Sequence, residues 1–228
     1  MRARQLTPNL IQLTRLRFVN AYLVREDDGF TLVDTTLPRG AAAILDAARE
    51  AGAPIRRIAL THGHGDHVGS LDELRGRLGS EVEVSMPTLD ARILAGENVV
   101  DGKLPGSWPT VETRPDVLLE PGDRVGTLEV VAAPGHTPGH VAFLDLRDRS
   151  LIAGDVFTTI GGAAVTSHFT IPFPLAAMAT WNKQVNLESA RSLQALEPRL
   201  LAVGHGPALP DPVEATTRAI ARAYRALC

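Results

Sequence analysis

Short apolar runs alternate with helix-periodic stretches along most of the chain. Leu10 to Leu16 and Val19 to Arg25 read as two strands, and Phe30 to Asp34 pairs back across a turn at Asp27-Asp28-Gly29. Gly40 to Ala51 has the alanine-rich composition of a helix and is closed by Gly52 and Pro54. Arg56 to Leu60 is a short buried strand, and Ser70 opens a helix to Leu78 as its N-cap. A strand at Val82-Glu83-Val84 and a helix from Thr88 to Ala95 follow. Gly96 to Asp116 breaks the pattern with three glycines, three prolines and Trp108, and loops of this length often serve as lids or binding loops. Strands resume at Asp116 to Leu119, Leu128 to Val131, Val141 to Leu146 and Leu151 to Ala153. A long helix is expected over Leu175 to Leu196, a strand over Arg199 to Val203, and a last helix from about Pro212 to Leu227. Strands then helices, twice over, predict two sheets face to face with helices outside, in a single domain over residues 1–228.

What ends the strands is more telling than the strands themselves. After Leu60 the chain reads Thr61-His62-Gly63-His64-Gly65-Asp66-His67, three histidines and a carboxylate within six residues of a chain that has seven histidines in all. Imidazole nitrogen and carboxylate oxygen suit a divalent cation such as zinc, and the glycines remove side chains that would keep neighbouring ligands apart. Three later strand ends carry the same residue types beside glycine: Gly135-His136, Gly154-Asp155 and Gly204-His205. Seven candidate ligands exceed what one tetrahedral ion can use, so the arithmetic points to two ions sharing a bridge.

This set, His-x-His-x-Asp-His followed by Gly-His, Gly-Asp and Gly-His-Gly, resembles the metallo-β-lactamase-fold hydrolases of the glyoxalase II and lactonase-like branch. The resemblance extends from Val33-Asp34-Thr35 over nearly the whole chain and implies an α/β fold, a four-layer αββα sandwich of two mixed sheets with the metals between them. It implies that His62, His64 and His136 hold one metal, that Asp66, His67 and His205 hold the other, and that Asp155 bridges them. Asp34 and His140 would orient ligands from behind, and Asp66 would relay a proton. The expected reaction is hydrolysis of a small ester, thioester or lactone by a hydroxide formed between two zinc ions, with iron or manganese also compatible. The alternative is a persulfide dioxygenase with one iron on His62, His136 and Asp155.

Within that family, β-lactam hydrolases usually lack the bridging aspartate and carry an export signal, so Asp155 and the polar N-terminus from Met1 to Pro8 point elsewhere. Flavin-bearing diiron relatives replace the second histidine with glutamate, and here it is His64. Glyoxalase II relatives add a basic C-terminal helical region for glutathione, whereas this chain ends 23 residues after His205, which speaks against glutathione thioesters. Lactonases carry a tyrosine shortly after the bridging aspartate; here the order is Asp155-Val156-Phe157-Thr158. The segment from Phe157 to Pro174, with His168, Phe169 and Phe173, is expected to act with Trp108 as an apolar wall for a small-molecule acyl substrate.

Composition adds boundaries. Apolar residues at 44% and charged residues at 21% describe an ordinary globular chain, and a net charge of -3 gives no support for a nucleic-acid partner. No run approaches a membrane span, and the one cysteine, Cys228, allows no internal disulfide. A cytoplasmic enzyme is the expectation.

Overall fold

Seven strands from the first half of the chain lie side by side in sequence order: β1 (Arg2–Thr7), β2 (Leu10–Arg15), β3 (Val19–Glu26), β4 (Gly29–Val33), β5 (Ile55–Ala59), β6 (Glu83–Pro87) and β7 (Val117–Leu119). β1 to β4 are antiparallel and β4 to β7 parallel. Parallel neighbours need crossovers. These run through α1 (Ala41–Glu50), then α2 (Gly65–Val68) with α3 (Leu71–Leu78), then α4 (Thr88–Leu94) with the long loop behind it. The computed structural model describes residues 1–227, so Cys228 lies outside the described residues.

The second half supplies β8 (Arg124–Val125), β9 (Leu128–Ala132), β10 (Val141–Asp145) and β11 (Ser150–Ile152). A separate small pair, β12 (Phe157–Thr158) and β13 (Ala164–Val165), precedes β14 (Leu200–Ala202) and β15 (Leu209–Pro210). The second sheet has the order β15-β14-β11-β10-β9-β8 and is mixed, with β11 and β14 parallel. Its helices are α5 (Leu175–Ala179), α6 (Lys183–Ala195) and α7 (Val213–Leu227).

Side-chain alternation sorts these elements into layers. In β3, Ala21 and Leu23 pack with Ile44 of α1 and Leu74 of α3, while Tyr22 and Val24 face the other way. There they meet Val141 and Phe143 of β10, whose neighbours Ala142 and Leu144 pack on Leu187 of α6 and Ala219 of α7. Three apolar interfaces separate four layers, the αββα sandwich. Each fully buried leucine or phenylalanine contributes about 2 kcal/mol, so strands apolar on both faces favour this arrangement over a sheet wetted on one side.

The structure departs from the sequence pattern in three places. β1 was not foreseen, because Arg2-Ala3-Arg4-Gln5 has no apolar face; it is an exposed edge strand, where charge is tolerated. Ser70 stands at the start of α3 but does not cap it: its Oγ accepts from Gly40 N and donates to Leu37 O, tying α3 to the chain before α1. The single helix expected over Leu175 to Leu196 is two, broken at Thr180-Trp181-Asn182. Asn182 caps α6 by accepting from Val185 N, and the amides of Trp181 and Asn182 bond the carbonyls of His136 and Gly135 instead of continuing a helix. No helix among the described residues is long and apolar enough to cross a membrane.

Candidate metal centre

Five strands deliver their C-terminal residues to one edge of the sandwich: β4 brings Asp34, β5 the His62 to His67 run, β9 His136, β11 Asp155 and β14 His205. The middle of the run winds into the single turn of α2, with the amides of His67 and Val68 bonded to His64 O. Three groups then have ligand atoms within 4.8 Å of one another: His62, His64 and His136; His62, His67 and Asp155; Asp66, His67 and His205. Asp155 sits among them, its carboxylate 3.4 Å from His67 Nε2, 3.4 Å from His136 Nε2 and 3.1 Å from His205 Nε2. Gly204 permits that approach, because a Cβ there would run into Asp155 Oδ1 and the His67 ring.

Four of the rings are fixed by their outer nitrogen. His62 Nδ1 meets Thr61 Oγ1 at 3.0 Å, His67 Nδ1 meets Asp34 Oδ2 at 2.8 Å, His136 Nδ1 meets Thr180 Oγ1 at 3.0 Å, and His64 Nε2 meets Pro105 O at 3.3 Å. An imidazole that uses one nitrogen as a donor presents the lone pair of the other. His62 Nε2, His67 Nε2 and Asp155 Oδ1 are buried without a hydrogen-bond partner. Buried polar atoms are rarely left so, and three that converge fit a divalent cation. His140 accepts the Asp155 amide on Nε2 at 3.0 Å and so holds the loop that carries that carboxylate.

Burial sets the protonation state of four of the rings. Burial pushes the His64 pKa down to about 4 and that of His140 to about 3, and holds His62 and His136 well below the usual imidazole range. These rings are neutral bases at physiological pH, as ligands must be. His67 and His205 go the other way: burial opposes their charge, but Asp155 together with Asp34 beside His67, and with Asp66 beside His205, outweighs it and raises His205 to about 9. Asp155 is buried, yet His205 and His67 hold its pKa well below the carboxylate range, and Asp66 is lowered by its bond to His205 despite burial.

One group that the sequence reading passed over is Asp90 in α4. Fully buried, it accepts from Gly63 N at 2.8 Å, Thr137 Oγ1 at 2.6 Å and Gly139 N at 2.8 Å, clamping the loops that carry His62 to His64 and His136 to His140. An acid on the inward side of a short helix was its only signal in the chain. Thr180, which orients His136, was hidden inside an apparently continuous helix.

The expected pocket residues divide. Trp108 stands edge-on to His64 at 5.0 Å between ring centroids, and Phe173 lies 4.9 Å from the His205 ring, so these two flank the cluster. The long loop that carries Trp108 drapes over the histidine run, its Ser107 carbonyl accepting from Gly65 N. Phe157 is buried in the core beneath α6 and α7, and Phe169 points to solvent at 63% exposure; neither ring flanks the cluster. His168 is set apart beside Arg222, whose charge adds to burial in lowering its pKa.

Comparison with known proteins matches this architecture. The model of the metallo-beta-lactamase superfamily fits residues 14–205. The Bacillus subtilis protein YobT is 41% identical over 213 residues, covering 91% of each chain. A hydroxyacylglutathione hydrolase of Cereibacter sphaeroides is 34% identical over 171 residues, 72% of this chain but 54% of the relative, so the chain spans about half of that enzyme. Among solved structures, TTHA1623 in a di-iron-bound form superposes with a TM-score of 0.63 at 27% identity, over 90% of this chain and 95% of that one. With a matching sequence model, a matching fold and a buried cluster of metal-binding side chains, the chain belongs to the metallo-beta-lactamase superfamily as a metal-dependent hydrolase.

Proposed function

We propose that the protein is a dinuclear hydrolase of small esters, thioesters or lactones, with zinc as its metal. His62, His64 and His136 would hold one ion and Asp66, His67 and His205 the other. The observation that carries the reading is Asp155, whose carboxylate lies 3.1–3.4 Å from His67, His136 and His205 and so reaches toward both groups. The 34% identity to a hydroxyacylglutathione hydrolase supports a small acyl substrate, and the likeness to a di-iron-bound protein supports two ions while leaving iron as a candidate metal.

When bound, two such ions supply Lewis-acid polarisation of an acyl oxygen and acidify a coordinated water toward neutral pH. The chain's own residues do the rest. Asp66 has the most exposed side chain of the seven candidate ligands at 31%, so the open side of the cluster lies there. Its Oδ2, 3.2 Å from His205 Nε2, would pass a proton toward a leaving oxygen or sulfur. Trp108 and Phe173 exclude water on either side and would grip an apolar acyl group.

The test is metal content per chain by elemental mass spectrometry, on protein purified without added metal, followed by turnover on lactones, thioesters and aryl esters. About two divalent ions per chain and metal-dependent ester cleavage are expected. One iron per chain, with oxygen uptake on glutathione persulfide and no ester cleavage, would replace this reading with the dioxygenase.

A further inference from the structure

Beside the loop that carries His205 lies a cavity of about 380 Å³ lined by Arg2, Arg4 and Arg17 together with Gln12, Thr14 and Gly206. The three arginines are its only charged residues, and none of them is in an ion pair among the described residues. This occurs in a chain whose net charge is -3.

The backbone builds the cavity. Arg2 pairs with Thr14 and Arg4 with Gln12 across β1 and β2, so all four side chains leave the same face. Leu10, two residues before Gln12, places that face on the side that packs against the second sheet. Arg17 arrives from the β2–β3 turn, where Leu16 and Arg17 hold φ values of 49° and 72°. Two consecutive left-handed residues without glycine are strained, and a turn needing only to reverse the chain would favour Asn-Gly. Gln12 donates to Gly206 O at 3.0 Å, and Gly206 N donates to Phe18 O at 3.1 Å. Phe18, next to Arg17, has its ring 6.2 Å from that of His205. The cavity and the metal centre therefore share the 205–206 backbone as a common wall.

Charge on an exposed edge strand can simply keep that edge from pairing with other chains. That accounts for Arg2 and Arg4 but not for Arg17, which is outside the edge strand and turned to the same cavity. Guanidinium groups present planar donor pairs that match carboxylate and phosphate oxygens. We propose that this cavity seats an anionic substituent of the substrate, a carboxylate or phosphate carried by the ester, thioester or lactone that the neighbouring centre cleaves. The proposal rests on the hydrolase reading and narrows it to a negatively charged substrate class.

The experiment compares mono-4-nitrophenyl glutarate with 4-nitrophenyl valerate on the zinc-loaded full-length protein, since the two differ only in a terminal carboxylate. The parent should favour the glutarate ester in kcat/KM, and the preference should shrink at least about tenfold in the R2Q/R4Q/R17Q variant and partly in R17E alone. Added salt should compress it as well. If both esters are cleaved with the same preference in parent and variants, the anion site is wrong and the hydrolase reading stands. If neither is cleaved, the hydrolase reading fails, and calorimetric titration of glutarate and of inorganic phosphate decides the site separately. Tighter binding of either anion to the parent than to R17E supports it, and the better probe tells carboxylate from phosphate; equal binding overturns it.

Discussion

Asp34 Oδ2 lies 2.8 Å from His67 Nδ1, and the same carboxylate accepts from the amide and hydroxyl of Thr61. One buried acid thus fixes both ends of the histidine run. Asp34→Asn keeps the shape but surrenders the charge that orients the ring, so metal affinity should fall about 10- to 100-fold. Competition against a chromophoric chelator measures it, and unchanged affinity would show that His67 is held by packing alone.

Asp155 joins the candidate ligand groups, and its replacement should be felt by both. Asp155→Asn should lower the metal content from about two ions per chain to one or fewer and reduce kcat by at least about a hundredfold, as loss of bridging charge demands. Circular dichroism should show an intact fold, because the three core clusters do not include this side chain. Full occupancy in the variant would remove Asp155 from the bridge.

Asp90 offers a different test, since its partners are loop backbone and a hydroxyl. Asp90→Ala leaves the Gly63 and Gly139 amides and Thr137 Oγ1 without their buried acceptor, a cost of about 1–3 kcal/mol for each group left unpaired. Stability should drop by several kcal/mol in urea unfolding, and Gly63 and Gly139 should lose hydrogen-exchange protection. Protection retained at both amides would mean that other contacts hold the loops.

Gly63 has Trp108 where a side chain would go: a Cβ built there lies 2.6 Å from the indole ring. Gly63→Ala should push Trp108 off His64, shifting tryptophan emission to the red and raising KM for apolar esters more than it lowers kcat. An unshifted spectrum would show that the loop yields without moving the ring.

His168 reports on pH away from the metal cluster. Burial, with Arg222 second, lowers its pKa below the ordinary 6.5. A base with a depressed folded pKa adds stability above pH 6.5 that is lost as pH falls through the folded value. Proton NMR of the His168 ring should titrate below 6.5 and move upward in Arg222→Gln, and His168→Gln should flatten the loss of stability on acidification. A pKa that ignores the Arg222 substitution would leave burial as the whole cause.

The layers and the candidate ligands were legible in the chain. Unbroken apolar runs in β3 and β10 require burial on both faces of a strand, and glycine-flanked ligand types after short strands point to a metal site, because both are local patterns with one economical solution. The family resemblance was legible for the same reason: its motifs are contiguous. The rest depends on contacts between distant parts of the chain. The break at Thr180 exists because backbone donors find the carbonyls of Gly135 and His136, some 45 residues away in sequence, and helical propensity cannot see that competition. Asp90 became a clamp and Arg17 a wall of a cationic cavity only when distant loops were brought to their sides. Phe157 and Phe169, alike in the chain, were sent to core and solvent by packing. Long-range hydrogen bonds and burial are properties of the assembled chain, and no local pattern encodes which partner will arrive.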